Sequence, residues 1–276
     1  MTYSTRTVTH GTLLVGAMAL LLAAGCSGAE QRRQQVAELR PLTVKEQTSS
    51  VLKGDDGYVV NWAGVLVNAN PWHFGEHVVA TVVAKDARGN EVIRVEQPLD
   101  AVPPAGTLPF TGQVAVEDEP SAVSIQYRPA RWHQAGRIVS AFRPFPVSGV
   151  LTDRKDDGSY LVTGYVGSPY ALPVRSLAVT ALLRDKEGRL LGGGSTFVDD
   201  VEAGEKRRFI LQVKSVEDTR KIATAEVTAR TWGSSSRPYE QLAFGGLAPM
   251  NTAKPTTPPF ARDRGAPLPL TGENRQ

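Results

Sequence analysis

The sequence is poor in cysteine: one residue, Cys26, in 276. No intramolecular disulfide can form, so burial and backbone hydrogen bonding must hold the fold. An excess of one charge is also missing. Lys and Arg number 31 against 28 Asp and Glu, a formal charge of +3. The basic residues are scattered instead of gathered into a stripe, which argues against a nucleic-acid surface. Only one apolar run approaches membrane length, and that excludes a multispan membrane protein. The hydrophobic fraction of 41% is that of a globular chain, with length for about two domains of 100–150 residues.

The one apolar run lies at the start. The first 25 residues hold no Asp or Glu, and Arg6 is their only Lys or Arg. From Gly11 to Leu22 the chain is small and apolar, a helix of roughly 20 Å against a hydrocarbon core of about 30 Å. This predicts a secretion signal over 1–25 and not a spanning helix. Leu22-Ala23-Ala24-Gly25-Cys26 resembles the lipobox of bacterial lipoproteins, although Ala23 stands where leucine is more usual. The resemblance implies a diacylglycerol on the Cys26 thiol, further acylation such as palmitate, cleavage before Cys26, and an anchor at the extracytoplasmic face of the cell membrane. Two or three acyl chains hold far more firmly than one. Polar residues 26–40 read as a tether.

The body then repeats itself at an offset of 98–100 residues. Ala63-Gly64-Val65-Leu66 corresponds to Thr163-Gly164-Tyr165-Val166, and Ala80–Asp86 to Val179–Asp185. Gly89 matches Gly188, Phe110 matches Phe209, and Trp132 matches Trp232. Order and spacing kept this well mark a duplicated domain. Each copy alternates apolar and polar residues with period two, as in Val123, Ile125 and Tyr127, or Phe209, Leu211 and Val213. Turns rich in Asp and Gly separate the strands, as at Asp86–Asn90 and Asp185–Gly188. The prediction is all-β: two tandem immunoglobulin-like β-sandwiches, at 41–133 and 138–233, each able to fold alone. From 234 to 276 seven prolines accompany a Ser-Ser-Ser run, and this stretch reads as a disordered tail.

The order strand, Asp-x-x-Gly turn, strand, then Ala-Gly before a Phe-x-x-x-Val strand is similar to the FxLYD-type domain of exported bacterial lipoproteins. Asp86 and Asp185 match its aspartate, whereas Val82–Lys85 and Ala181–Arg184 replace its aromatic and Leu-Tyr residues. The resemblance covers roughly 58–116 and 160–216. It implies fold and address, and that family has no common catalytic residues to carry over.

Chemistry-bearing motifs are sparse. His73 and His77 are four apart, a spacing that binds zinc on a helix, but Pro71 and Gly75 oppose a helix and no third ligand stands nearby. No nucleophile elbow or phosphate loop occurs; Gly192-Gly193-Gly194-Ser195 follows a strand with no helix behind it. The acidic pairs Asp55-Asp56, Asp156-Asp157 and Asp199-Asp200 sit in turns, where Asp bonds its own backbone. Leu268–Gly272 fits the sortase pattern Leu-Pro-x-Thr-Gly, but so does Leu108–Gly112 within a predicted strand, so the match discriminates little.

The freest position for recognition is the loop between central strands. It carries Trp72, His73, Phe74, Glu76 and His77 in the first copy and Tyr170 in the second. Aromatic anchors ringed by polar groups compose binding hot spots, so the first copy is expected to recognise and the second to support. The chain thus reads as a non-catalytic binding or adaptor lipoprotein, without metal or cofactor, for an envelope protein or polymer. The alternative is a passive spacer or envelope-stability protein with no ligand.

Overall fold

A computed structural model describes residues 39–54, 56–136 and 139–247. The signal segment, Cys26, most of the tether and the tail from 248, with its Leu268–Gly272 motif, lie outside the described residues. The protein is all-β, built as two tandem immunoglobulin-like β-sandwiches, with every strand pairing within its sheets antiparallel.

In the first sandwich, β1 (Thr43–Gly54), β2 (Gly57–Val67) and β6 (Thr107–Val116) form one sheet in the order β1-β2-β6. The facing sheet is β5-β4-β7, from β4 (Val79–Lys85), β5 (Glu91–Pro98) and β7 (Ala122–Arg128). A small extra pair joins β3 (His73–Glu76) to β8 (Arg131–Gln134). The second sandwich repeats the plan. Its sheets are β13-β10-β9, from β9 (Val147–Arg154), β10 (Tyr160–Gly167) and β13 (Lys206–Val213), and β12-β11-β14, from β11 (Val174–Arg184), β12 (Leu190–Val201) and β14 (Thr224–Thr231).

The duplication is visible atom by atom. Gly64 pairs with Phe110 across β2 and β6, and Gly164 with Phe209 across β10 and β13. Each phenylalanine ring lies over its glycine so closely that an added Cβ would stand 2.7 Å from Phe110 Cζ, or 2.8 Å from Phe209 Cε1. Asp86 Oδ1 accepts from the amides of Arg88 and Asn90, and Asp185 Oδ1 from those of Glu187 and Arg189. These turn aspartates satisfy backbone donors, which is why the residue type recurs.

The two copies are not separate beads. In a free sandwich a central strand alternates buried and exposed positions. Here Val60–Leu66 on β2 and Leu177–Leu183 on β11 are buried without interruption. The outer face of each is covered by the other copy: Ala63 and Val65 pack with Leu182 and Leu190 in a small apolar cluster. Around it, Arg184 forms a bidentate pair with Glu46, at 2.6 Å from Nη1 and 2.5 Å from Nη2. Ser50 donates to the Ser215 carbonyl at 2.9 Å. The Gly192–Gly194 run on β12 permits this approach, because a Cβ at Gly193 would lie 2.5 Å from the Ala181 carbonyl and 2.9 Å from Thr111 Cγ2. The expectation of independently folding copies omitted this shared face.

The chain between the sandwiches forms a 3₁₀ turn, Val139–Phe142. After β14 comes a helix, α1 (Arg237–Phe244), which buries Tyr239, Leu242 and Ala243. This corrects the predicted tail over its first part, 234–247. An isolated helix of eight residues is marginal in water; this one is held by the i, i+3, i+4 stripe it packs. Phe74, Ala101, Ala135 and Tyr239 form a small core with Phe142 against it, while Leu242 joins Tyr170 and Phe145 in the second core.

Candidate functional site: a cleft between the two sandwiches

The predicted recognition loop separates into surface and core. Trp72 remains 49% exposed, and its carbonyl accepts from the Ala135 amide. His73 opens β3 half-buried, and its carbonyl accepts from Asn68 Nδ2 at 2.6 Å. Phe74, however, is wholly buried, 5.5 Å from the Tyr239 ring and 6.2 Å from Phe142. The Glu76 carboxylate accepts from the Ser236 amide, and the His77 amide donates to the Ser234 carbonyl. Tyr170 is wholly buried too, its ring 5.5 Å from Phe145, and burial pushes its phenol up to about 12. Phe74 and Tyr170 are therefore packing residues and not projecting anchors. Strand pairing between β3 and β8 turns the Phe74 side chain inward, a register that local sequence does not disclose. Glu76 and the His77 amide hold the segment that leads into α1.

What this packing builds lies next door. The 3₁₀ turn, α1, the start of β6 and the end of β14 surround a cleft of about 230 Å³. Its walls are mostly apolar: Pro103 and Pro109 from the first sandwich, Phe142, Pro144 and Phe145 from the connection. Thr228 and Arg230 stand two apart on β14, and so on one face of the strand. Tyr239 comes from the first turns of α1. Arg143 lines the cleft as well, and no acidic residue does.

Arg230 is fixed from behind. Its Nε donates to Asp100 Oδ2 at 2.7 Å, and both side chains are largely buried. Asp100 Oδ1 accepts from the Gly233 amide at 2.9 Å. The pair thereby clamps the end of β14 to the first sandwich. Breaking such a buried pair by removing one partner costs about 3–5 kcal/mol.

Three residues of the cleft wall each carry a buried polar atom with no protein partner: Thr228 Oγ1, Arg230 Nη1 and Tyr239 OH. Among the described residues one further side-chain atom is in that condition, Asn61 Oδ1 on β2. Burial raises the Tyr239 pKa well above the ordinary phenol value, so its hydroxyl stays protonated and able to donate. The sequence held no local signal for this site. Arg230 and Tyr239, from β14 and α1, meet Asp100 from a loop 130 residues earlier, and each alone reads as an ordinary strand, helix or loop residue.

Among the described residues no group of three or more His, Cys, Asp or Glu side chains is arranged to hold a metal ion. No helix there is long and apolar enough to cross a membrane.

No protein-family model matches the chain, and no curated protein does. Solved structures show loose likenesses. One is a calcium-binding mutant of Bacteroides uniformis beta-glucuronidase 2, with 13% identity and a TM-score of 0.23, covering 66% of this chain. Another is red sea bream transglutaminase, with 10% identity and a TM-score of 0.21 over 70%. The chain spans 26% and 32% of these two. A third is the N-terminal CBM22-1–CBM22-2 tandem domain of Paenibacillus barcinonensis Xyn10C, at 11% identity and a TM-score of 0.13, covering 72% of this chain and 89% of that one. Similarity at this level carries nothing about function.

Proposed function

We propose that the chain is a lipid-anchored extracytoplasmic lipoprotein whose two joined sandwiches act as a non-catalytic binding module, with the inter-sandwich cleft as its ligand site. One observation carries the binding reading: where the joined sandwiches meet the connection and α1, a mostly apolar cleft of about 230 Å³ has Thr228, Arg230 and Tyr239 in its wall. An apolar cleft with a few convergent polar groups is the usual composition of a small-molecule site. The anchor rests on Leu22–Cys26 and its likeness to a lipobox.

The test is class-neutral. Small fragments of every charge type are screened by saturation-transfer NMR against the full chain and against Thr107→Trp, which places an indole at the cleft mouth from an exposed position. Fragments that bind the wild type and are lost in the variant support the reading. If no fragment distinguishes the two proteins, the cleft is not a ligand site.

A further inference from the structure

We infer that a second site, the groove between the sandwiches on the side of Phe197 and Trp232, binds a short neutral oligosaccharide. One sugar ring lies on the exposed aromatic pair, and its neighbours are hydrogen-bonded by side chains on either side of Thr111 and Ser195. The groove shares only Arg230 with the cleft proposed above and stands independently of it.

Two cavities of about 230 and 210 Å³ make the groove, and both are lined by Thr111 on β6 and Ser195 on β12. The two hydroxyls bond each other from one sandwich to the other at 2.9 Å. Set against the roughly 150 Å³ that holds benzene, each cavity takes about one sugar ring with its hydroxyls. Trp232 then borders a third cavity of about 570 Å³, with Arg175 and Gln241 in its wall, so the track continues past the ring.

Two rings set the apolar part of the ligand. Phe197 and Trp232 are 56% and 58% exposed and stand 5.9 Å apart, nearly edge to face. Rings of this size are usually well buried. The sandwich itself does not require the pair: opposite Val79 the first copy has Pro98, where the second has Phe197 opposite Ala178. An exposed ring face takes a flat apolar surface, and the C–H face of a sugar ring is one.

The polar part must both donate and accept. The exposed Gln113 amide has no protein partner among the described residues. Gln212 spends its Nε2 on Ser159 and Asp157, which leaves Oε1 as an acceptor. Carboxylates and phosphates only accept and ammonium groups only donate, whereas hydroxyls do both. Of the charged residues lining the two cavities, Asp100 and Arg230 neutralise each other at 2.7 Å. That leaves Lys214, at the end away from Trp232. A neutral polyhydroxylated ligand fits this balance.

A peptide added as an extra strand is the competing ligand, but the strand edges here are already capped by side chains. Gln97 Nε2 donates to the Thr111 carbonyl at 2.9 Å. Ser215 Oγ accepts from the Gly193 amide at 3.1 Å and donates to the Gly193 carbonyl at 2.8 Å. Strand addition needs such backbone groups free. Recognition by side chains does not.

Maltotriose, cellotriose, chitotriose and a short Thr/Val-rich peptide are titrated by saturation-transfer NMR into the full chain, held in a detergent without a sugar head group. At least one trisaccharide should bind saturably in the millimolar range. Trp232→Ala should weaken it about tenfold or more, Trp232→Phe much less, and Gln113→Ala severalfold. Both side chains are exposed, so the melting temperature should stay in place and a loss of binding reports the ligand contact. Thr107→Trp, in the separate cleft, should leave the titration unchanged, so the two sites succeed or fail separately. Sugar binding abolished by Thr107→Trp, or indifferent to Trp232→Ala, overturns the groove. Absence of saturable binding by all three trisaccharides overturns it as well. Binding of the peptide alone, lost in Trp232→Ala, makes the groove a peptide site and overturns the saccharide assignment.

Discussion

Two tyrosines near the cleft offer a matched pair in which the same chemical change should have opposite signs. Tyr170 and Tyr239 are both buried, and each ring packs 5.5 Å from a phenylalanine. The Tyr170 hydroxyl donates to the carbonyls of Ala141 and Arg143 at 3.4 and 3.3 Å, whereas the Tyr239 hydroxyl has no protein partner. Tyr→Phe deletes one oxygen and leaves ring packing intact. At Tyr170 it removes long hydrogen bonds and strands two carbonyls, a cost of about 0.5–1.5 kcal/mol. At Tyr239 it removes a desolvated hydroxyl worth about 1–3 kcal/mol of penalty, so stability rises, by about 1 kcal/mol after relaxation. For about 200 ordered residues, 1 kcal/mol moves the melting temperature by about 2–4 °C. Thermal unfolding followed by circular dichroism reads both variants against the wild type without added ligand. Tyr170→Phe should melt lower and Tyr239→Phe higher. A Tyr239→Phe protein that melts several degrees lower has lost a real bond, and the hydroxyl was not unpartnered.

Because β2 and the β11–β12 hairpin pack against each other, Phe110→Ala and Phe209→Ala should each cost about 3–5 kcal/mol and shift one common unfolding transition; calorimetry showing two transitions, each responding to one variant, contradicts the shared face. Hydrogen bonding to the Arg184 guanidinium holds the Glu46 carboxyl below the usual carboxylate range, against the opposing effect of burial. A lowered native pKa contributes stability above the unfolded value of about 4.3 that is lost as pH falls through the native value. Glu46→Gln should therefore be less stable than wild type at pH 7, with the gap closing below about pH 4, as denaturant titrations at several pH values would show. Cys26→Ala should release the protein from the membrane fraction; quantitative retention would mean that lipid on Cys26 is not the anchor.

Much of the architecture was legible in the sequence because a duplication supplies its own control. Gly64 with Phe110 and Gly164 with Phe209 recur since a ring can lie over a strand only where the partner lacks a Cβ. Asp86 and Asp185 recur since the same turn amides need the same acceptor. What differs between the copies was harder to read. Phe74 looks like a loop aromatic, and only the pairing of β3 with β8 turns it inward. Residues 237–244 fall within a serine- and proline-rich stretch, and their helical stripe is too short to stand out. The unbroken burial of Val60–Leu66 could be read as a buried strand, but nothing local says that a second copy covers it. The cleft was invisible for the same reason. It is made by contacts between segments up to 130 residues apart, as Asp100 and Arg230 are.

The most direct measurement of the ligand-site reading is a ¹³C spectrum of the full chain labelled at tyrosine Cζ, with the Tyr239 signal assigned by its loss in Tyr239→Phe, during titration with a fragment that the cleft screen selects. Fragment binding in the cleft should shift the Tyr239 resonance saturably, while Tyr58, Tyr127 and Tyr165, which do not line the cleft, stay in place. A Tyr239 resonance that does not move, in a sample where another tyrosine does, would place the ligand outside the cleft.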